Sequence, residues 1–440
     1  MKIKLEKVGI IKHAEIEFLG LTVIAGENDS GKSTVGRMIY SAITAFGQTE
    51  ADIRKDKIEK IFNIVRKIAY DFNDNIEDTQ KQISTYSQLF AANLDNTTDV
   101  VSIFDKFKQE YINRKSNENP FFNKDIVEKN FSDLERILKQ TESLEKYIHD
   151  FLEKVLYSEF SEQINNSVHG GESRISCIEK DIELFSFNIS KNKLLHASVN
   201  KNNMFLKKST LIESPLSLQL KLVLDKAKTT LEIADEIKNN TLSPLWVPAV
   251  VPLHIKALLN TLSNVGYIQK IYKPKEISQK INNIIKGEFI FNKNDNDFIF
   301  RKTNSKDALK ILNTANGVKA FGLIEILARI NALNETSLLI IDEPEINMHP
   351  EWQLKYAELL IELCKSGVKI LVTSHSPYMI QALKYFSQKA AVFGEKTRFY
   401  LAERVPNGEN WAEIKDVGMD INPIFDKLTK PFDDLINDFE

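Results

Sequence analysis

Two short stretches carry residue types suited to phosphate chemistry. The first is Gly26-Glu-Asn-Asp-Ser30-Gly31-Lys32-Ser33-Thr34, with the spacing G-x-x-x-x-G-K-[ST]. In such a loop the backbone amides and the N-terminus of the following helix converge on phosphate oxygens. Gly26, Asn28, Ser30, Gly31 and Thr34 are therefore candidates for the cradle. Lys32 adds a mobile positive charge for the terminal phosphates, and the Ser33 hydroxyl is of the type that ligates Mg²⁺. The second stretch, Leu338-Leu-Ile-Ile-Asp342-Glu343-Pro344, is an apolar run ending in two acids. Asp342 suits the magnesium shell, and Glu343 suits orienting or deprotonating an attacking water. Together they point to hydrolysis of a nucleoside triphosphate, with ATP and Mg²⁺ as the expected ligands.

The surrounding pattern supplies elements to hold these groups. Ile3, Leu5 and Val8, then Ile16 and Phe18, then Leu21–Ala25 read as antiparallel strands feeding a buried central strand. Residues 32–46 read as a helix with Val35, Met38, Ile39, Ala42 and Phe46 on one face. From about 50 to 165 the chain is charged, glycine-free and helical in spacing. One stripe there is Ile58, Ile61, Val65, Ile68 and Phe72; another is Leu134, Leu138, Leu144, Ile148, Phe151 and Val155. Ser132 with Glu135 reads as a capping box opening the second helix. His169-Gly-Gly171 breaks this texture. Arg174–Ile178 and Ile182–Ile189 then read as strands, with Thr210–Ile212 a weaker third. Helical spacing returns at 216–240 and 251–285, separated by Ser243–Pro248. Glu288–Asn292 and Asp297–Arg301 read as a hairpin. Leu338–Ile341 and Val368–Val372 have the apolar run of buried parallel strands. Arg398–Leu401 and Ala412–Lys415 bracket a turn at Asn407-Gly408.

Composition bounds the class. The chain has 440 residues, a formal charge of −3 and two cysteines, Cys177 and Cys364, far apart in sequence and expected as reduced thiols. No apolar run approaches the roughly 20 residues needed to cross a bilayer, and the charged N-terminus does not read as a signal peptide. A cytoplasmic protein with no membrane partner is expected. The near-balanced charge gives no global nucleic-acid signal, while leaving room for a local basic groove.

Lys32 and Asp342 stand about 310 positions apart, too far for one compact core, so a large insertion lies between them. In this the chain resembles the ATPase heads of the SMC, Rad50, RecF and OLD group, over roughly residues 1–48 and 285–400. The resemblance implies an α/β fold: an ABC-type P-loop ATPase head, a mixed sheet with helices plus an antiparallel β subdomain, carrying a large helical insertion. The head is expected at 1–48, 166–215 and 285–440, a helical lobe at 49–165, and a second helical segment at 216–284. Gly26–Thr34 then corresponds to Walker A and Asp342 to Walker B. Glu345, Asn347 and His349 fall in the D-loop region. His375 in Val372-Thr-Ser-His375-Ser-Pro377 looks like the switch histidine that senses the γ-phosphate.

Asn313-Thr-Ala-Asn316-Gly317-Val-Lys319, ahead of a helix at Phe321–Ile330, occupies the place of the signature loop. Related ATPases have a serine before the glycine, where Asn316 stands here. A plain turn before a helix is the other reading. Gln48 is the candidate for a nucleotide-sensing glutamine. Lys12 and His13 either approach the base or α-phosphate or form a solvated turn.

One copy of each motif implies at least a dimer, with ATP held between copies. The chain looks like the ATPase subunits of bacterial anti-phage systems such as PARIS or Septu, which act as sensors or scaffolds for a separate effector protein, often a nuclease. About 65 residues follow His375, too short for an OLD-type nuclease domain. The alternative is a RecF- or Rad50-like repair ATPase that binds DNA directly; the motif spacing disfavours a transporter subunit. Phe432, Leu435, Ile436 and Phe439 form an apolar stripe in an acidic segment, which either packs on its own domain or docks a partner.

Overall fold

The computed structural model describes residues 1–70, 76–114, 124–140, 143–166, 168, 170–200, 204–224, 227–229, 233, 250–263, 265, 275–305, 307–406, 410–418 and 420–437. In chain order the strands and helices are β1 (Lys2–Val8), β2 (Ile11–Glu17), β3 (Leu21–Gly26), α1 (Lys32–Phe46), α2 (Glu50–Tyr70), α3 (Ile76–Asn93), α4 (Thr97–Arg114), α5 (Lys124–Lys139) and α6 (Leu144–Phe160). There follow β4 (Glu172–Glu179), β5 (Ile182–Ser190), β6 (Lys193–Val199), β7 (Lys208–Ile212), α7 (Leu216–Gln219), α8 (Lys221–Leu224), α9 (Leu253–Ser263) and α10 (Lys275–Ile285). The remainder is β8 (Gly287–Asn292), β9 (Asp297–Lys302), β10 (Ala308–Lys310), α11 (Asn316–Arg329), β11 (Ser337–Asp342), α12 (Pro350–Lys365), β12 (Lys369–Ser374), α13 (Pro377–Lys389), β13 (Thr397–Arg404), β14 (Ala412–Gly418) and α14 (Asn422–Asn437).

The chain divides into two compact units. Met1–Gly47 with His149–Glu440 forms the first, and Gln48–Ile148 the second. Among the described residues the first unit holds an 11-stranded sheet in the order β6-β5-β4-β1-β2-β14-β13-β3-β12-β11-β7, and a three-stranded sheet β10-β9-β8. The larger sheet has two characters. At one end, β4–β6 and β1–β2 pair antiparallel. Toward the other, β13, β3, β12, β11 and β7 run parallel. The sequence explains the split. β3 is buried at all its positions and β11 at all but Asp342, as strands covered on both faces must be. In contrast, β1 alternates buried and exposed residues. This is the mixed α/β architecture expected from the sequence.

The second unit is helical, with its own core of Val65, Phe90, Phe107, Phe131 and Leu134 among others. Phe107 lies 4.4 Å from Tyr86 and 5.6 Å from Phe131, ring centroid to centroid. Two local expectations change here. Ser132 sits in the middle of α5, which already begins at Lys124, so it opens no helix. The stripe from Leu134 to Val155 belongs to two helices, α5 and α6, rather than one. Phe72, His169, Ser243–Pro248, Asn407-Gly408 and Phe439 lie outside the described residues, as does most of 225–249. Cys177 and Cys364 are both buried and free. Among the described residues no helix is long and apolar enough to cross a membrane.

The smaller sheet presses on α11, which leads toward β11. A Cβ at Gly322 would stand 2.1 Å from the Phe289 ring, and Phe289 is fully buried. Helix propensity favours Gly322→Ala by at most about 1 kcal/mol. Overpacking a fixed ring costs about 1–3 kcal/mol. We expect the substitution to lower the urea midpoint of unfolding; an unchanged or raised midpoint would show that Phe289 can move.

Candidate functional site

The parallel strands end on one edge, with β3 finishing at Gly26, β12 at Ser374, β11 at Asp342 and β7 at Ile212. Such an edge is where open α/β sheets receive ligands. The loop leaving β3 admits no larger residue at two points. A Cβ at Gly26 would lie 2.3 Å from the Ala402 carbonyl oxygen on β13. Gly31 has φ +87, and a Cβ there would lie 2.3 Å from Ile11 Cδ1. Gly31 also caps α1, so the helix's unpaired amides begin at Lys32–Thr34. The Ser30 hydroxyl is used within the loop, donating to the Glu27 carbonyl at 2.7 Å. Asp29, at φ 59, pairs with Arg404.

Lys32 is almost fully buried, and its ammonium donates to the carbonyls of Gly26 at 2.9 Å and Glu27 at 2.7 Å. Burial pulls its pKa down, while Glu343, Asp342 and Glu345 act to hold it up. Asp342, at the end of β11, accepts a hydrogen bond from the Thr373 hydroxyl. Burial raises its pKa, and hydrogen bonds from Thr373 and Ser33 oppose that rise. Glu343 follows with φ 48, a left-handed turn held by its N–H donating to the Thr373 carbonyl at 3.1 Å. The turn swings the carboxylate toward the loop: Glu343 Oε1 lies 3.8 Å from Lys32 Nζ and 3.2 Å from His375 Nδ1. The His375 imidazole makes no hydrogen bond through Nδ1, although Glu345 Oε1 is also only 3.5 Å away.

Of these groups Lys32, Ser33 and Glu343 line a cleft of about 1230 Å³, with Asp342 and His375 standing behind them. Asn28–Thr34 and Glu343 line one side, and Phe160, Gln163, Asn166 and Lys191 line part of the other. The donor set fits a magnesium–triphosphate. Ser33 and Asp342 offer hard oxygen ligands, and Lys32 offers charge. Among the described residues no group of three or more His, Cys, Asp or Glu could hold a metal ion.

Several expected site residues lie elsewhere. Asn316 and Gly317 open α11 and do not line the cleft. Asn316 Oδ1 accepts from Lys319 Nζ at 3.4 Å, and the same buried ammonium donates to Gln219, which pins this turn. Gly317 faces Trp352, and a Cβ at this position would stand only 3.1 Å from that ring. Gln48 belongs to the second unit. Lys12 and His13 are exposed on β2, where the neighbouring turn contributes Gly9 and Ile10 to the cleft instead. His349 caps α12, accepting from the Glu351 N–H at 3.3 Å.

Two roles were not found from the sequence, which placed Glu345 only in the D-loop region and did not single out Glu213. Glu345 Oε1 accepts from the Ser374 hydroxyl at 2.8 Å and from the N–H groups of His375 at 2.8 Å and Ser376 at 3.1 Å. It therefore fixes the turn that presents His375. The second is that of Glu213, the residue after β7, held by Arg37 of α1. An acid directly after a short β-branched run, in Thr210-Leu-Ile-Glu213, was the available signal.

A family model, AAA_15, described as an AAA ATPase domain, matches residues 1–380. The Septu protein PtuA of Bacillus thuringiensis is 26% identical over 107 residues, which is 23% of this chain and 26% of that protein. The chain thus spans about a quarter of the length of that curated relative. Among solved structures, the SMC head domain from Thermotoga maritima aligns over 94% of this chain and 98% of its own, at 12% identity and a TM-score of 0.39. An SMC head bound to the C-terminal winged-helix domain of ScpA aligns over 96% and 98%, at 13% identity and a TM-score of 0.41.

Proposed function

The chain belongs to the AAA_15 family of AAA ATPase domains, and from that premise we propose that it binds and hydrolyses ATP in the cleft between Asn28–Thr34 and Glu343, as a nucleotide-controlled scaffold in anti-phage defence. The observation that carries the reading is the meeting of Lys32, Asp342, Glu343 and His375 on one strand edge, with Glu343 Oε1 between the ammonium and the imidazole. Magnesium–ATP, when bound, supplies the γ-phosphoryl group and the cation that offsets its charge. The amides of Gly31–Thr34 and Lys32 Nζ grip the phosphates. Ser33 Oγ and the Asp342 carboxylate would hold the metal. Glu343 Oε1 orients a water and takes its proton. His375 stands where its Nδ1 can donate toward a terminal phosphate, directed by Glu345.

Asn316 and Gly317, outside the cleft of their own chain, are assigned to the nucleotide of a second copy. Exposed apolar side chains flank three of the motifs in sequence: Leu312 before Asn316, Ile346 after Glu343 and Tyr378 after His375. They support an assembly of at least two copies. The match to a Septu protein supports the defence assignment and, with it, a separate effector protein held or released as nucleotide turns over.

The test is direct. Phosphate release from ATP and binding of a fluorescent ATP analogue are measured on the purified chain, with mass determined by light scattering with and without nucleotide. We expect Mg²⁺-dependent hydrolysis and a larger mass with ATP. Phosphate release no faster than in buffer would end the ATPase reading. Tight, salt-sensitive DNA binding by the chain alone, with no neighbour co-purifying, would favour the repair function over the scaffold.

A further inference from the structure

Beside the cleft lies a chain of charges, Glu159, His254, Glu213 and Arg37, buried at Glu159 and His254 and partly exposed at Glu213 and Arg37. Parallel pairing places Ile212 of β7 opposite Ile341 of β11, so the next residues, Glu213 and Asp342, leave the sheet as neighbours. Glu213 Oε1 accepts from Arg37 Nε at 2.7 Å, and Arg37 lies one turn beyond Ser33 on α1. Glu213 Oε2 lies 3.3 Å from His254 Nε2. On the far side of the ring, His254 Nδ1 is 2.7 Å from Glu159 Oε2. The His254 backbone N–H donates to Glu159 Oε1 at 2.9 Å. The imidazole is 1% exposed and the Glu159 carboxylate 0%. Tyr40 of α1 packs edge-on against the ring, 5.9 Å away.

Three elements, α1, α6 and α9, thus converge on one carboxylate that is still 25% exposed. Burying such charges costs much of what their attraction returns. What the arrangement secures is direction: with both ring nitrogens facing acids, the imidazole has one orientation, and so does the Glu213 oxygen it faces. Burial works against the His254 charge, but the contacts with Glu159 and Glu213 prevail and lift its pKa to about 9. Phe160, the next residue after Glu159, lines the cleft, so the helix end that anchors His254 is also part of the cleft wall.

We infer that His254 is a positioning residue of this site: anchored by Glu159, it works with Arg37 to hold the Glu213 carboxylate beside Asp342, where it adds a second negative charge for the magnesium of the bound nucleotide. This rests on the cleft being the ATPase site. The role is one step removed from the metal, and groups that orient metal-site residues typically change metal affinity by about 10–100-fold when removed.

The test measures the affinity of a fluorescent ATP analogue in EDTA and in Mg²⁺, and takes the ratio. Two variants are compared with the parent. One is Glu213→Gln. The other combines Glu159→Gln with His254→Leu, which removes both buried charges together while the new amide oxygen still accepts the residue-254 N–H. Each is expected to reduce the Mg²⁺-dependent tightening, taken as the ratio of the two affinities, by roughly tenfold. Combining all three substitutions is expected to add nothing further, because they act through one carboxylate. A purely structural role would lower the melting temperature and leave the ratio alone. A folded variant of either kind with the parental ratio overturns the inference. A parent protein that binds the analogue no more tightly with Mg²⁺ would instead overturn the assignment of the cleft.

Discussion

Glu343→Gln is expected to slow phosphate release at least about a hundredfold while leaving ATP bound, because it removes a base without changing the shape of the site. The residue sits in a left-handed turn at φ 48, anchored through its N–H to Thr373, so the backbone fixes where the side chain begins. Glutamine has the same length and can occupy the same space between Lys32 and His375. It cannot accept a proton from water at neutral pH. Losing the carboxylate also removes a negative charge 3.8 Å from Lys32, which leaves that ammonium freer to meet phosphate. Binding should therefore hold or tighten. Single-turnover phosphate release gives the rate, and light scattering in Mg²⁺–ATP should show the larger assembly persisting. A variant that hydrolyses at the parental rate removes Glu343 from its role. One that loses nucleotide altogether shows that the carboxylate serves the loop's architecture instead.

The contrast between Glu343 and Glu213 shows what sequence could reveal. The phosphate loop and the paired acids are contiguous, and each lies in a local context that states its geometry: apolar strand, then glycine turn or acid, then helix. The strands at 21–26 and 337–342 and the helix at 32–46 follow from that context alone. Thr210–Ile212 was legible as a short strand, but no local feature says that it joins β11 in parallel register. Only the assembled sheet brings Glu213 beside Asp342, across 129 positions of chain that include the 3-stranded sheet and α11. His254 and Glu159 are harder still. An acid near a helix end and a histidine near a helix start look solvated until packing closes over both. Ser132 failed for the opposite reason. Its capping pattern is genuine in sequence, but the apolar face of α5, with Val127, Phe131, Leu134 and Leu138, continues through it and buries against the core of its unit. Packing along that face outweighs one cap of about 1 kcal/mol.

Mixing two inactive variants should restore activity if the site is shared between copies. Lys32→Ala removes the buried ammonium that the loop holds at Gly26 and Glu27, and is expected to lower ATP hydrolysis at least about a hundredfold. Gly317→Asp acts at the start of α11, where unpaired amides favour an anion. The Trp352 ring leaves little room on one side, and a carboxylate there would repel a triphosphate presented by another copy. It too should be nearly inactive, although its own phosphate loop is untouched. In a dimer formed at random from equal amounts, half the molecules are mixed. Each mixed dimer joins an intact loop from one chain to an intact Asn316-Gly317 turn from the other at one of its two sites. Roughly a quarter of parental activity should therefore return. If every chain completed its own site, Gly317→Asp would stay active by itself, or the mixture would recover nothing. Either outcome would confine Asn316 and Gly317 to a structural turn, held by Lys319 and Gln219, and would leave ATP hydrolysis to a single copy.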